Sequence, residues 1–148
     1  MKLLLDTNVL VDYFGARRPF CDQWELINAL QMTGYAELWA SAESYTDAFY
    51  LLRRAVGSEK LQDMFLESLS FVRVCSVDED DIRKAAERSW SDFEDCLIAV
   101  CAEKVKADYI ITRDAGGFKR SKILAMDAPS FFTMLEEDYG IVYEMTDW

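Results

Sequence analysis

The sequence predicts an α/β fold: a three-layer α/β/α sandwich around a central, mainly parallel sheet of four to five strands. Short apolar runs alternate along the chain with longer segments of helical periodicity, which is typical of a parallel sheet covered on both faces. Apolar residues make up 51% of the chain, enough for a substantial core. A length of 148 residues is the usual size of one domain, so a single domain is expected over residues 1–148.

The strands of this sheet are predicted at five short apolar runs. Runs of this length fit buried strands better than helices, which need about ten residues or more. The predicted strands are Lys2–Leu5, Glu37–Ala40, Phe71–Val74, Tyr109–Thr112 and Ile123–Ala125.

The helices are predicted where apolar side chains recur every three to four residues. These segments are Phe20–Met32, Ser44–Val56, Leu61–Leu69, Ile82–Arg88, Phe93–Val105 and a last helix beginning near Pro129. Asp78 is the expected cap of the fourth helix, and Ser91 with Glu94 has the spacing of a capping box for the fifth. Gly140 is the expected end of the last helix. The segment Ile141–Trp148 is either an extra strand or a tail that docks on a partner.

The charge and histidine content exclude several classes of protein. Lys and Arg number 16 and Asp and Glu 27, which gives a net charge of −11. Bulk charge therefore does not hold this chain on nucleic acid, and phosphate binding would need a local basic patch or a bound cation. Because the chain contains no histidine, catalytic triads and imidazole-ligated zinc sites are excluded.

The cysteines and the hydropathy pattern point to the cytoplasm. The four cysteines have no C-x-x-C spacing and are expected to be small buried hydrophobes in a reducing compartment. No apolar stretch approaches the roughly 20 residues of a membrane span, so no membrane association is expected.

Acidic residues directly follow two of the predicted strands. Asp6 ends the first strand and Asp114 follows the fourth, ahead of Gly116 and Gly117. Ligands of open parallel sheets bind beyond the carboxyl ends of strands, which suggests a site there. The alternatives are a helix cap for Asp6, bonded to the amide of Asn8 or the next residue, and an ordinary turn aspartate for Asp114.

Two further pairs of acids lie on predicted helices. Asp92 and Asp95 are three residues apart, and Glu43 and Asp47 are four apart, so each pair shares a helix face. Asp92 is readily explained as a first-turn acid and Glu43 as a solvated one. Asp95 borders the apolar run that follows it, and Asp47 lies among apolar neighbours, so a functional role is favoured for both.

Converging carboxylates are the ligands that a hard divalent cation prefers. Without a cation they would raise one another's pKa, and Mg²⁺ or Mn²⁺ relieves that repulsion. Such a site can activate water for phosphodiester hydrolysis without histidine. Arg113, Lys119 and Arg120 follow the fourth strand and are candidate substrate contacts, although solvated surface is the ordinary explanation for each of them.

Four blocks of sequence together resemble the PIN domain family. They are Leu-Leu-Asp-Thr-Asn-Val-Leu-Val-Asp at 4–12, Ser-Ala-Glu-Ser-Tyr-Thr-Asp-Ala-Phe-Tyr at 41–50, Asp-Phe-Glu-Asp-Cys-Leu-Ile-Ala at 92–99, and Ile-Ile-Thr-Arg-Asp-Ala-Gly-Gly-Phe at 110–118. The resemblance reaches about Phe132 and leaves residues 133–148 as a C-terminal extension. It implies an α/β/α ribonuclease that depends on Mg²⁺ or Mn²⁺, and many members are toxins of VapBC-type toxin–antitoxin pairs. RNA substrate, a protein antitoxin and a homodimer are the implied partners.

The resemblance also assigns roles to particular acids. Asp6, Asp95 and Asp114 match the family's metal-binding and catalytic acids. The family's remaining acid is usually a glutamate, and its register falls on Asp47, one methylene shorter, with Glu43 one turn earlier. Asp92 lies beside this set.

The polar residues next to these acids match a supporting role. Thr7, Asn8 and Thr112 resemble family residues that orient the acids.

Two other classes of function are compatible with parts of the pattern. A degenerate PIN fold that binds nucleic acid or protein without catalysis is the main alternative, because Asp replaces the usual Glu. Phosphoryl-aspartate chemistry also uses an acid after the first strand with Mg²⁺. A phosphatase of that kind would need Asp-x-Asp-x-Thr, whereas Asn8 and Val9 stand at the third and fourth positions. The acids and the Thr/Ser and Lys positions of a receiver domain are also not arranged here.

Overall fold

A computed structural model describes residues 1–144 and contains one five-stranded sheet in that range. The strands are β1 (Lys2–Leu5), β2 (Glu37–Ser41), β3 (Val72–Cys75), β4 (Tyr109–Ile111) and β5 (Ala125–Met126). They pair in the order β3-β2-β1-β4-β5, and every pairing is parallel. The expected parallel sheet is therefore confirmed, with β1 at its centre.

Helices connect the strands on both sides of the sheet. They are α1 (Thr7–Phe14), α2 (Phe20–Met32), α3 (Ala42–Val56), α4 (Ser58–Ser68), α5 (Glu79–Arg88), α6 (Phe93–Val105) and α7 (Ala128–Tyr139), with a short 3₁₀ turn at Ala115–Phe118. The predicted helices all exist, and most of their boundaries agree within three residues.

Alternation along β1 divides the core into two layers. Leu3 and Leu5 point into the larger layer, which contains residues of α1, α2, α3, α4 and α7. Leu4 points the other way and packs on the buried face of α6, with α5 against that helix. Side chains of a strand alternate between faces, so the central strand is buried on both sides. The three-layer α/β/α sandwich is confirmed.

The expected ends of two helices are confirmed and one is wrong. Asp78 and Asp81 form a reciprocal capping box at α5, and Gly140 ends α7 in the left-handed conformation, with φ 65°. For α6 the cap is Asp92, not Ser91 with Glu94. The Asp95 N–H donates to Asp92 Oδ1 at 3.1 Å, because the chain turns into the helix one residue later than the pattern indicates.

No range is predicted from the sequence for the first helix, although a helix cap is one of the alternatives given for Asp6. Six of the eight residues of α1 are buried, namely Thr7, Val9, Leu10, Val11, Asp12 and Phe14. A helix buried on nearly all sides has no polar stripe, so its period is hidden in the sequence.

The C-terminal segment contains no strand within residues 141–144, and positions 145–148 lie outside the described residues. Tyr143 packs near Phe132, and its hydroxyl lies 2.6 Å from Thr33 Oγ1. Across residues 1–144 no helix is long and apolar enough to span a bilayer. Three of the four cysteines are buried free thiols, while Cys21 is partly exposed.

Candidate active site

Asp6 is held at the junction of β1 and α1 by both of its carboxylate oxygens. Its Oδ1 accepts the Thr7 N–H at 2.7 Å, and its Oδ2 accepts the Thr112 hydroxyl at 2.7 Å. The residue is only 4% exposed. Asp6 is thus the cap of α1, through the amide of Thr7 instead of the expected amides further along, and also faces the end of the sheet.

The Thr112 hydroxyl connects the ends of the two central strands. Besides donating to Asp6, it accepts the Asp114 N–H at 3.0 Å and the Asn8 side-chain amide at 3.3 Å. One donation and two acceptances use the full capacity of a hydroxyl. The positions of Asp6 and Asp114 are therefore linked through a single buried side chain.

Asp95 and Asp114 converge on a glycine. A Cβ placed on Gly117 would lie 2.5 Å from Asp95 Oδ2 and 3.4 Å from Asp114 Oδ2. Real Cβ atoms do not approach an oxygen at the shorter distance, so an alanine at this position would require the Asp95 carboxylate to move away. The turn after β4 therefore brings an acid of α6 next to an acid of its own.

These acids surround a cavity of about 300 Å³ at the carboxyl ends of β1 and β4. Its lining contains five carboxylates and two guanidinium groups: Asp6, Asp92, Glu94, Asp95, Asp114, Arg17 and Arg113. The structure thus brings together the predicted Asp6, Asp95 and Asp114, with Thr7, Asn8 and Asp92 beside them.

The pKa values of two of these acids report the crowding. Burial, followed by the charges of Glu94 and Asp114, raises the pKa of Asp6 to about 6, against hydrogen bonds from Thr112 and Thr7 that lower it. Burial and the surrounding acids, Asp92 first among them, raise the pKa of Asp95 to about 7. Carboxylates arranged in this way are destabilised as anions, which is the environment that a divalent cation neutralises.

The donor set fits a hard divalent cation in its chemistry. The candidate ligands are carboxylate, hydroxyl and amide oxygens, which are the ligands that Mg²⁺ and Mn²⁺ prefer. Over residues 1–144, however, no three acidic, His or Cys side chains stand close enough to form a single coordination shell. Binding would therefore require these carboxylates to rotate toward a common point.

The acids of α3 lie beside the cavity and do not line it. Burial raises the pKa of Glu43, and the charges of Asp47 and then Glu94 raise it further. Glu43 is therefore close enough to α6 to interact with the charge of Glu94. Leu51 lines the cavity, and Glu43, Asp47 and Leu51 follow one another at four-residue spacing on one face of α3. Asp47 is thus partly buried on the helix face that borders the cavity.

The three predicted substrate contacts have different surroundings. Arg113 lines the cavity, and its guanidinium forms an ion pair with Asp12. Lys119 and Arg120 are exposed and outside the cavity lining, and Arg120 donates to the Arg88 carbonyl at 3.0 Å.

Sequence reasoning missed two acids of this region. Glu94 lines the cavity but is assigned above to a capping box, and its spacing beside Asp95 could have signalled a wider cluster. Asp12 is buried in α1 and bonded to Arg113, and a lone acid among apolar residues was the available signal.

The sequence profile of the PIN domain matches residues 2–116. Together with the fold and the acids at the end of the sheet, this match shows that the chain belongs to the PIN domain family. No curated protein matches the chain at a significant level.

Several solved structures share the fold at low sequence identity. VapBC-1 from nontypeable Haemophilus influenzae is similar with a TM-score of 0.66 and 20% identity, covering 87% of this chain and 99% of the other. VapBC2 from Rickettsia felis, bound to a promoter DNA fragment, has a TM-score of 0.64 and 19% identity over 86% and 98%. VapC20 from Mycobacterium tuberculosis is described as a toxin that cleaves the sarcin–ricin loop. It has a TM-score of 0.58 and 16% identity, covering 73% of this chain and 86% of the other.

Proposed function

We propose that this protein is an endoribonuclease dependent on Mg²⁺ or Mn²⁺ that hydrolyses RNA phosphodiesters. The observation that carries the proposal is the convergence of Asp6, Asp95 and Asp114 on one cavity, at the carboxyl ends of the two central strands of a PIN domain. The sarcin–ricin loop cleavage described for the similar mycobacterial toxin supports RNA as the substrate class.

Asp6, Asp95 and Asp114 would hold the metal, with Asp47 on α3 as a further acid and Glu43 one turn before it. The bound cation supplies an activated water and positive charge for the phosphodiester transition state. The protein contributes orientation: the Thr112 hydroxyl and the Thr7 N–H each hold one oxygen of Asp6, and Asn8 accepts the Arg113 N–H. Since the chain contains no histidine, these carboxylates would be the groups that orient the water and accept its proton.

The biological role that fits this activity is the toxin of a toxin–antitoxin pair. Similar structures include VapBC complexes and a toxin–antitoxin complex from Klebsiella pneumoniae. A protein antitoxin, assembly as a homodimer and a cytoplasmic location belong to this proposal.

The test is cleavage of a fluorescent oligoribonucleotide in Mn²⁺, in Mg²⁺ and in EDTA, with the matching deoxyoligonucleotide as substrate control. We expect metal-dependent cleavage of the RNA, loss of it in EDTA and in Asp6→Asn, and a melting temperature raised by Mn²⁺ in the wild type only. Full activity in EDTA, or an unchanged activity in Asp6→Asn, would contradict the proposal.

A catalytically degenerate binding module is the second candidate. Two observations favour it: Asp47 stays outside the cavity lining, and no three described acids form one coordination shell. In that case Mn²⁺ would leave the melting temperature unchanged while nucleic acid or a protein partner still bound.

A further inference from the structure

Asp12 is a buried acid that forms an ion pair with Arg113. Its side chain is 4% exposed on the inner face of α1, two turns after Asp6. Asp12 Oδ2 lies 2.6 Å from Arg113 Nε, and Arg113 Nη2 donates to Asp12 Oδ1 at 3.2 Å. A buried carboxylate is tolerated when it is paired and hydrogen-bonded in this way.

The pair holds Arg113 from one side only. Asp12 contacts Nε and Nη2 of Arg113. Within the described residues, Nη1 of Arg113 takes part in no hydrogen bond or ion pair. The guanidinium also lies over the Phe20 ring, 4.4 Å from its centroid, and the Arg113 N–H donates to Asn8. Asp12 of α1 and Phe20 of α2 therefore orient the side chain before any ligand arrives, and Asn8 holds its backbone.

Arg113 is a cation in a mostly acidic cavity, where it could attract a phosphate. The cavity is lined by five carboxylates, which repel a phosphodiester, and Arg113 is one of two cations in its lining. A planar guanidinium can bind one anion along one edge and a phosphate oxygen along another. Arg113 directly follows Thr112 and precedes Asp114, and it lines both this cavity and the neighbouring pocket that contains Asp12 and Phe20.

We propose that Asp12 is a positioning residue: it holds Arg113 so that the Nη1 edge contacts a phosphate of the RNA bound in the cavity. This inference rests on the proposed ribonuclease function. It differs from a purely structural role, in which the ion pair would only keep the turn carrying Thr112 and Asp114 in place.

The experiment is a double-mutant cycle with two readouts. Asp12→Asn, Arg113→Gln and the double variant are compared with the wild type and with Asp80→Asn, an exposed control on α5. One readout is the Kd of a fluorescein-labelled 12-nucleotide RNA of mixed sequence, measured by anisotropy in Ca²⁺ to slow cleavage. The other is the rise in melting temperature caused by Mn²⁺ alone.

We expect each single variant to weaken RNA binding by roughly tenfold, since each removes a charge-assisted contact or its orientation. The double variant should be no weaker than Arg113→Gln, because Asp12 acts through Arg113. The Mn²⁺-induced shift should stay as in the wild type. Asp80→Asn should match the wild type in both readouts.

Three results would overturn the inference: unchanged RNA binding in Asp12→Asn, additive losses in the double variant, or a loss of the Mn²⁺ shift together with RNA binding. If Asp12→Asn fails to fold, Arg113→Lys decides, because it keeps the charge but not the two bonds to Asp12. Binding like wild type in that variant would refute positioning. A wild type that binds no RNA overturns this inference and the proposed function together, whereas cleavage with intact binding in Asp12→Asn overturns the inference alone.

Discussion

Two groups of acids at helix N-termini contrast within this fold. At the start of α5, acids are paired with bases: Asp80 with Lys84, Glu79 with Arg83, and the buried Asp81 with Lys104 at 2.6 Å. In the cavity at the start of α1 and α6, five carboxylates face two guanidinium groups, and Arg113 already pairs with Asp12.

The pKa values follow this difference. The Asp81 N–H, and after it Lys104, hold the pKa of Asp78 below its ordinary value. Burial and neighbouring acids raise the pKa of Asp6 and Asp95. The first group contributes to folding as it stands, whereas the second is costly to folding until positive charge arrives. The pairing of acids, more than their number, therefore separates a stabilising surface from a candidate reactive one.

The largest expected effect is on RNA cleavage, which only the acids of the cavity should influence. Asp114→Asn should reduce RNA cleavage by about a thousandfold, because it removes a carboxylate that would hold the metal. Asp80→Asn, in the α5 group, should cleave like the wild type. The measurement is kcat/KM on one oligoribonucleotide in Mn²⁺, and equal losses in both variants would remove the distinction.

Loss of a charged partner should lower the stability of the protein in the α5 group. Lys104→Met leaves the buried Asp81 without its 2.6 Å partner and should lower the free energy of unfolding by about 3 kcal/mol. Chemical denaturation measures this change, with Lys84→Met as the exposed control, for which no measurable loss is expected. A loss in Lys104→Met no larger than that in the control would show that Asp81 does not depend on its partner.

The metal-free protein should lose stability as the pH rises from 5 to 8. The pKa values of Asp6 and Asp95 are about 6 and about 7 when folded, above the ordinary 3.8, so the folded state binds more protons than the unfolded state in this window. Raising the pH removes those protons and costs folding free energy. Thermal melting in EDTA checks the slope, which Mn²⁺ should flatten, and a melting temperature that rises over this range would contradict it.

The smallest expected effect is a gain in thermal stability. Asp95→Asn removes one charge from the crowded cavity, and its carboxylate accepts no hydrogen bond from the residues described. The melting temperature in EDTA should rise by a few degrees. The same substitution should abolish the Mn²⁺ shift, and a lower melting temperature in EDTA would show that this carboxylate stabilises the fold.

The sequence predicted the features that depend on neighbours along the chain. Strand β1, the cap at Asp78 and the end of α7 at Gly140 each follow from a local pattern. The acids after β1 and β4 could also be placed, because adjacent parallel strands end at the same edge.

Features that depend on packing could not be predicted in the same way. The ion pair between Asp12 and Arg113 joins residues 101 positions apart, and no local pattern specifies it. The distance of Asp47 from the cavity is set by how α3 packs against α1, through contacts such as the Thr7 and Ser44 hydroxyls at 2.8 Å.

The two hydrogen bonds of Asp6 have a consequence for how this fold would change over generations. Position 6 needs two acceptor oxygens at once, one for the Thr7 N–H and one for the Thr112 hydroxyl. Asn offers one acceptor and Ser a shorter reach, so either replacement would leave one of these two donors without its acceptor. Asp95 and Asp114 accept no comparable bonds within residues 1–144. A descendant that lost its chemistry would therefore be recognised by drift at positions 95 and 114 while position 6 stayed the same.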